Sequence, residues 1–60
     1  MMINKNNEMY YIKKERDMYI KSSDSYLYGD YYVVDSQGRE IGISSPYKKV
    51  VIRKLNNRKF

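Results

Sequence analysis

A chain of 60 residues with a net charge of +5, no cysteine and no histidine has room for one small core and nothing to staple it with, since neither a disulfide nor a Cys/His zinc site can be built. The same inventory excludes the usual catalytic triads and Cys–His dyads, whose base or nucleophile is missing. Binding without catalysis, and without a metal or cofactor, is the expectation.

The opening Met1-Met2-Ile3-Asn4-Lys5-Asn6-Asn7-Glu8 lacks the apolar stretch and small-residue cleavage site of a secretory signal. The longest apolar run, Tyr31-Tyr32-Val33-Val34, falls far short of the ~18 residues a membrane helix needs. A cytoplasmic protein with one domain over residues 1–60 is therefore expected, with no membrane partner and with frayed ends at 1–7 and 56–60. Lys, Asn, Ile and Tyr, all with A/T-rich codons, supply 27 of the 60 residues. That bias fits a low-GC bacterium or one of its phages or mobile elements.

Strand signals dominate along the chain. Met9–Lys14 and Met18–Lys21 are short, aromatic and β-branched, and the Glu15-Arg16-Asp17 between them suits a hairpin loop. After the polar Ser22-Ser23-Asp24-Ser25 comes Tyr26-Leu27-Tyr28. Gly29-Asp30 then reads either as a two-residue turn or as a bulge in one long strand. The clearest hairpin runs from Tyr31–Asp35 through Ser36-Gln37-Gly38 to Arg39–Ser44, with Gly38 suited to the left-handed position of the loop.

The C-terminal segment carries conflicting signals. Ser45-Pro46 resembles an N-cap followed by proline at the first helical position, and Tyr47, Val50, Val51 and Leu55 share a helical face. Against this, Val50, Val51 and Ile52 are consecutive β-branched residues, which favour a strand. A short 3₁₀ or helical turn near Ser45 to Lys48, followed by a last strand over Lys49 to Leu55, reconciles the two. The predicted fold is thus mainly β: a small antiparallel sheet or SH3-like barrel of about five strands. The alternative is an antiparallel sheet covered by a C-terminal helix.

Seven acids (Glu8, Glu15, Asp17, Asp24, Asp30, Asp35, Glu40) are scattered along the chain, and turn formation accounts for Asp24 and Asp30 more simply than a cation site does. Gly38-Arg39-Glu40-Ile41-Gly42 has neither the spacing nor the Lys-Ser/Thr of a phosphate loop. Two features remain. The first is eight tyrosines against one Phe and no Trp. A tyrosine joins a rigid apolar ring to a polar tip and recurs at recognition surfaces, although strand tyrosines serve equally as half-buried sheet residues. The second is charge segregation. Pro46 to Phe60 holds six bases and no acid, whereas Ser22 to Asp35 holds three acids and no base.

These features select Tyr26, Tyr28, Tyr47, Lys48, Lys49, Arg53 and Lys54 as candidate partner-binding residues. The expected function is docking of this Tyr-rich, basic surface on a host protein to modulate or inhibit it, by a chain of phage or mobile-element origin. The alternative is a small basic DNA- or RNA-binding accessory protein, since bases neutralise phosphate and rings stack on nucleobases. Self-association is a further way for so small a core to gain stability.

Overall fold

The computed structural model describes residues 2–5 and 7–58. In chain order the elements are β1 (Met2–Lys5), β2 (Glu8–Lys14), β3 (Met18–Ile20), β4 (Ser25–Leu27), β5 (Tyr31–Val34), β6 (Glu40–Ser45) and α1 (Lys48–Asn56). Four strands form an open antiparallel sheet in the order β1-β2-β5-β6, while among the described residues β3 and β4 pair only with each other.

Register explains the core. Ile3 stands opposite Tyr10, Ile12 opposite Val33, and Tyr31 opposite Ser45. Because strand side chains alternate, these rows fall on one face, and α1 lies across it. Tyr10, Ile12, Val33, Val51 and Leu55 form the buried cluster, with Ile3, Tyr31, Ile41, Ile43 and Ile52 packed around it. Each fully buried aliphatic side chain contributes about 1.5–3 kcal/mol of transfer free energy, so a cluster this small leaves a narrow margin of stability.

The fold is mainly β, as the sequence predicts, but it is an open sheet with a C-terminal helix and not a closed barrel. The segment over Lys49 to Leu55 is helical and not a last strand, so the arrangement found is the alternative of an antiparallel sheet covered by a C-terminal helix. Val51 and Leu55, one turn apart, both reach the sheet and are fully buried. That burial outweighs the few tenths of a kcal/mol per residue by which β-branched side chains disfavour a helix. The cap also differs from expectation. Tyr47 is the N-cap and makes no side-chain capping bond, while the Tyr47 amide donates to Ser45 Oγ at 3.2 Å.

Two further expectations are corrected. Met9–Lys14 does not pair with Met18–Lys21: β2 joins β5, whose Val33 completes the core opposite Ile12, and β3 pairs with β4. Gly29-Asp30 is neither a hairpin turn nor a mid-strand bulge but the link from β4 to β5. Near the N-terminus, β1 pairs with β2 over Met2–Lys5. Asn56 ends α1, and the Asn57 amide donates to the Arg53 carbonyl. Of the ends expected to fray, Met1, Asn6, Lys59 and Phe60 lie outside the described residues. The hairpin reversing at Ser36-Gln37-Gly38 is present, with Gly38 at φ +81°.

Candidate interaction site: an exposed hairpin and a basic cleft

Between β2 and β5 the chain leaves the sheet, runs out along β3, turns at Lys21–Asp24 and returns along β4. The molecule is correspondingly elongated, with extents of 46 × 21 × 17 Å. Cross-strand pairs place Met18 beside Leu27 and Tyr19 beside Tyr26. By alternation, one face of this arm carries Tyr19, Tyr26 and Tyr28 and the other Met18, Ile20 and Leu27. All six are exposed; Tyr26 and Tyr28 keep 61% and 70% of their surface accessible.

The rings form a ladder. Tyr19 and Tyr26 lie 5.1 Å apart between centroids at a tilt of 51°, and Tyr26 stacks on Tyr28 at 6.2 Å. Such pairs contribute about 0.5–1.5 kcal/mol each beyond area burial. At the tip the Tyr19 hydroxyl donates to the Asp24 carboxylate, which raises the phenol pKa above its usual value.

A two-stranded ribbon is marginal in water, so what fixes the arm is its root. There the Glu15 amide donates to the Asp30 carbonyl at 2.9 Å. Asp17 Oδ1 accepts from Lys14 Nζ at 2.6 Å and from the Gly29 amide at 2.8 Å. The Lys14 bond, reinforced by the Gly29 amide, holds the Asp17 carboxyl below its ordinary pKa, and Asp17 in turn raises Lys14. Lys14 Nζ also lies 5.7 Å from the centroid of the Tyr31 ring. Gly29 is required by proximity: a Cβ there would stand 2.2 Å from the Glu15 carbonyl oxygen.

The second region begins at the same end of the sheet, because Tyr31, which follows the arm, pairs with Ser45, which precedes the helix. A cleft of about 560 Å³ opens there, lined by Tyr31, Pro46, Tyr47, Lys48, Lys49, Val50 and Arg53. Tyr47 is 70% exposed. No acid lines the cleft. The salt bridges Lys14–Asp17 and Arg39–Asp35 leave these cations out, so among the described residues Lys48, Lys49 and Arg53 have no acidic partner. A smaller cleft of about 190 Å³ holds the opposite charge, with Glu15, Asp30 and Glu40 in its lining. No group of three or more His, Cys, Asp or Glu is placed to hold a metal ion among the described residues.

The seven candidate residues thus fall into two sets. Tyr26 and Tyr28 sit on the arm, and Tyr47, Lys48, Lys49 and Arg53 line the basic cleft. Lys54 belongs to neither, since its Nζ donates to the Ser44 carbonyl at 3.3 Å and ties the helix to β6. Sequence reasoning missed Met18, Tyr19, Ile20 and Leu27. The signal that could have found them is the lack of polar alternation in Met18-Tyr19-Ile20 and Tyr26-Leu27-Tyr28, which leaves both faces of a ribbon apolar. Also missed were Tyr31, Pro46 and Val50, which reach the cleft only through folding. Among the described residues no helix is long and apolar enough to cross a membrane. No protein-family model, curated protein or solved structure matches the chain.

Proposed function

We propose that this chain is a non-catalytic binding protein that docks on a protein partner through its hairpin arm, with the basic helix as a charged rim, and so modulates or blocks that partner. The observation that carries the reading is the concentration of Met18, Tyr19, Ile20, Tyr26, Leu27 and Tyr28, all exposed, on both faces of one narrow ribbon. An apolar ribbon of this kind suits a groove that encloses it, and buried tyrosines are the side chains that most often supply binding hot spots. The A/T-rich residue usage fits a phage- or mobile-element-encoded modulator of a host protein.

A nucleic-acid partner draws support from the acid-free basic end of the chain, but the arm argues against it. Residues 15–30 hold four acids (Glu15, Asp17, Asp24, Asp30) and two bases (Arg16, Lys21), a balance of −2 that repels phosphate. The two readings separate in a capture experiment from lysate, with and without nuclease, followed by affinity measurements on the captured partner. Tyr26→Ser/Tyr28→Ser is expected to lower affinity for a protein partner about 30-fold or more, the hot-spot range. Replacing Lys48, Lys49, Arg53 and Lys54 by Gln should mainly slow association and flatten its salt dependence. Neither tyrosine belongs to the buried cluster, so the body of the first variant is expected to fold, and amide protection across β3 and β4 must match wild type before its affinity is read. Capture that nuclease abolishes, or a folded tyrosine variant that binds normally beside a charge variant that does not, would assign the chain to nucleic acid instead.

A further inference from the structure

The cleft at the start of α1 contains an arrangement that the fold itself does not need. Lys48 and Lys49 occupy the first turn of the helix, where the positive end of the helix dipole disfavours cations. Lys49 and Arg53 are spaced i, i+4, a like-charge pair that further weakens the helix. No acid in the lining offsets either cost. An external anion seated in the cleft would offset both. The remaining walls are apolar and aromatic: Pro46, Val50 and the rings of Tyr31 and Tyr47. The volume of about 560 Å³ falls within the range of small-molecule sites, about 300–1,000 Å³.

We propose that this cleft binds a nucleoside phosphate, with the phosphate held by Lys48, Lys49 and Arg53 and the base laid against Tyr47 and Tyr31. Three cations without a counter-charge match a phosphate monoester, which carries about −1.5 to −2 at neutral pH, better than a single carboxylate. Arg53 adds the planar fork that grips phosphate oxygens in pairs. The rings supply a stacking surface for a planar base, which an inorganic anion would leave unused. The site is separate from the apolar faces of the arm and does not rest on the protein-docking reading.

The test is amide NMR on the labelled full chain, titrated in parallel with AMP, adenosine, inorganic phosphate, a short oligothymidylate and an Asp/Glu-rich peptide. AMP is expected to shift amides over Tyr47–Arg53 saturably at about millimolar Kd or tighter. Adenosine and inorganic phosphate should each bind about tenfold more weakly than AMP, because each lacks half of the contacts. Lys49→Gln/Arg53→Gln and Tyr47→Ser should each weaken AMP about tenfold. Tyr26→Ser/Tyr28→Ser should leave AMP binding unchanged, which separates this proposal from the arm's role. If oligothymidylate shifts the same amides at tenfold lower concentration than AMP, the source of the nucleotide is a single strand; equal binding points to free nucleotides. The proposal is overturned by the absence of saturable shifts, by inorganic phosphate matching AMP, by the acidic peptide binding more tightly than AMP, or by undiminished binding in both variants.

Discussion

Tyr10 in β2 and Tyr26 in β4 are both strand tyrosines with an aromatic or β-branched residue across the ladder, yet Tyr10 is 7% exposed and Tyr26 61%. The difference is the covering layer. Val51 and Leu55 of α1 complete the cluster around Tyr10, whereas β3 and β4 have only each other. The four-stranded sheet and helix are held by apolar burial, and the arm by a polar root at Lys14, Glu15, Asp17, Gly29 and Asp30. The buried cluster and the exposed tyrosines of the arm therefore lie in different parts of a very small molecule, and substitutions in one part should be readable without confusion from the other.

The largest expected effect breaks the body. Leu55 is fully buried at the centre of the helix–sheet contact. Leu55→Ala should cost about 2–5 kcal/mol through lost transfer energy and the cavity left behind. A core of this size supplies only about 3–5 kcal/mol, so urea titration followed by circular dichroism should show a chain largely unfolded even without denaturant. A cooperative transition close to wild type would mean that the helix does not anchor the sheet.

A smaller and local effect is expected at the root of the arm. In Gly29→Ala the new Cβ meets the Glu15 backbone at 2.2 Å, and relief requires the two root segments to part, a strain of about 1–3 kcal/mol. Hydrogen exchange should rise at the Glu15 and Gly29 amides and across β3 and β4, while protection at Val33 and Val51 changes little. Equal loss of protection in both regions would show that arm and body unfold as one unit, contrary to the comparison.

The smallest effect is a pH response. Asp17 is held below its ordinary pKa by Lys14 and the Gly29 amide. Asp35 is held low chiefly by the Arg39 amide and also by the Gln37 amide. A depressed carboxyl stabilises the fold above its unfolded pKa of about 3.9, and the contribution is lost as pH falls through the lower folded value. Lys14 is raised, so its contribution is complete below about pH 10.4 and is lost as pH rises through the folded value. Root geometry, followed through the Gly29 amide shift, should therefore hold between these limits and give way at acid pH. Asp17→Asn should abolish the acid transition at Gly29 and leave the one at the Arg39 amide intact. A Gly29 amide that titrates identically in both proteins would remove Asp17 from the root.

The hairpin at Ser36-Gln37-Gly38 was legible because its determinants are local. Asp35 Oδ1 accepts from the Gln37 and Arg39 amides at 2.9 Å each, Oδ2 accepts from Arg39 Nε at 3.1 Å, and Gly38 supplies the positive φ. The three-residue Glu15-Arg16-Asp17 link looked equally local and misled. Whether β2 pairs with β3 or with β5 depends on which partner completes a buried face, and Val33 lies 21 positions beyond Ile12 in the chain. Of the candidate residues, Tyr26 and Tyr28 were singled out by residue type alone, and the fold places both exposed on the arm. The union of Tyr31 with Lys48, Lys49 and Arg53 around one cleft was not legible, because it depends on β5 pairing with β6 and on the fate of residues 48–56.

By itself the sequence determined the β character, the turn at Gly38, the absence of any Cys or His chemistry and the segregation of positive charge into the last quarter of the chain, since each depends on residue type or on neighbours within a few positions. Tertiary structure decided the rest. Burial of Val51 and Leu55 against Tyr10, Ile12 and Val33 turned a β-branched segment into a helix, because removing apolar area from water outweighs propensities of a few tenths of a kcal/mol. The same helix covers only the four-stranded sheet, and that single placement made a core of Tyr10 and left Tyr19, Tyr26 and Tyr28 as an exposed arm.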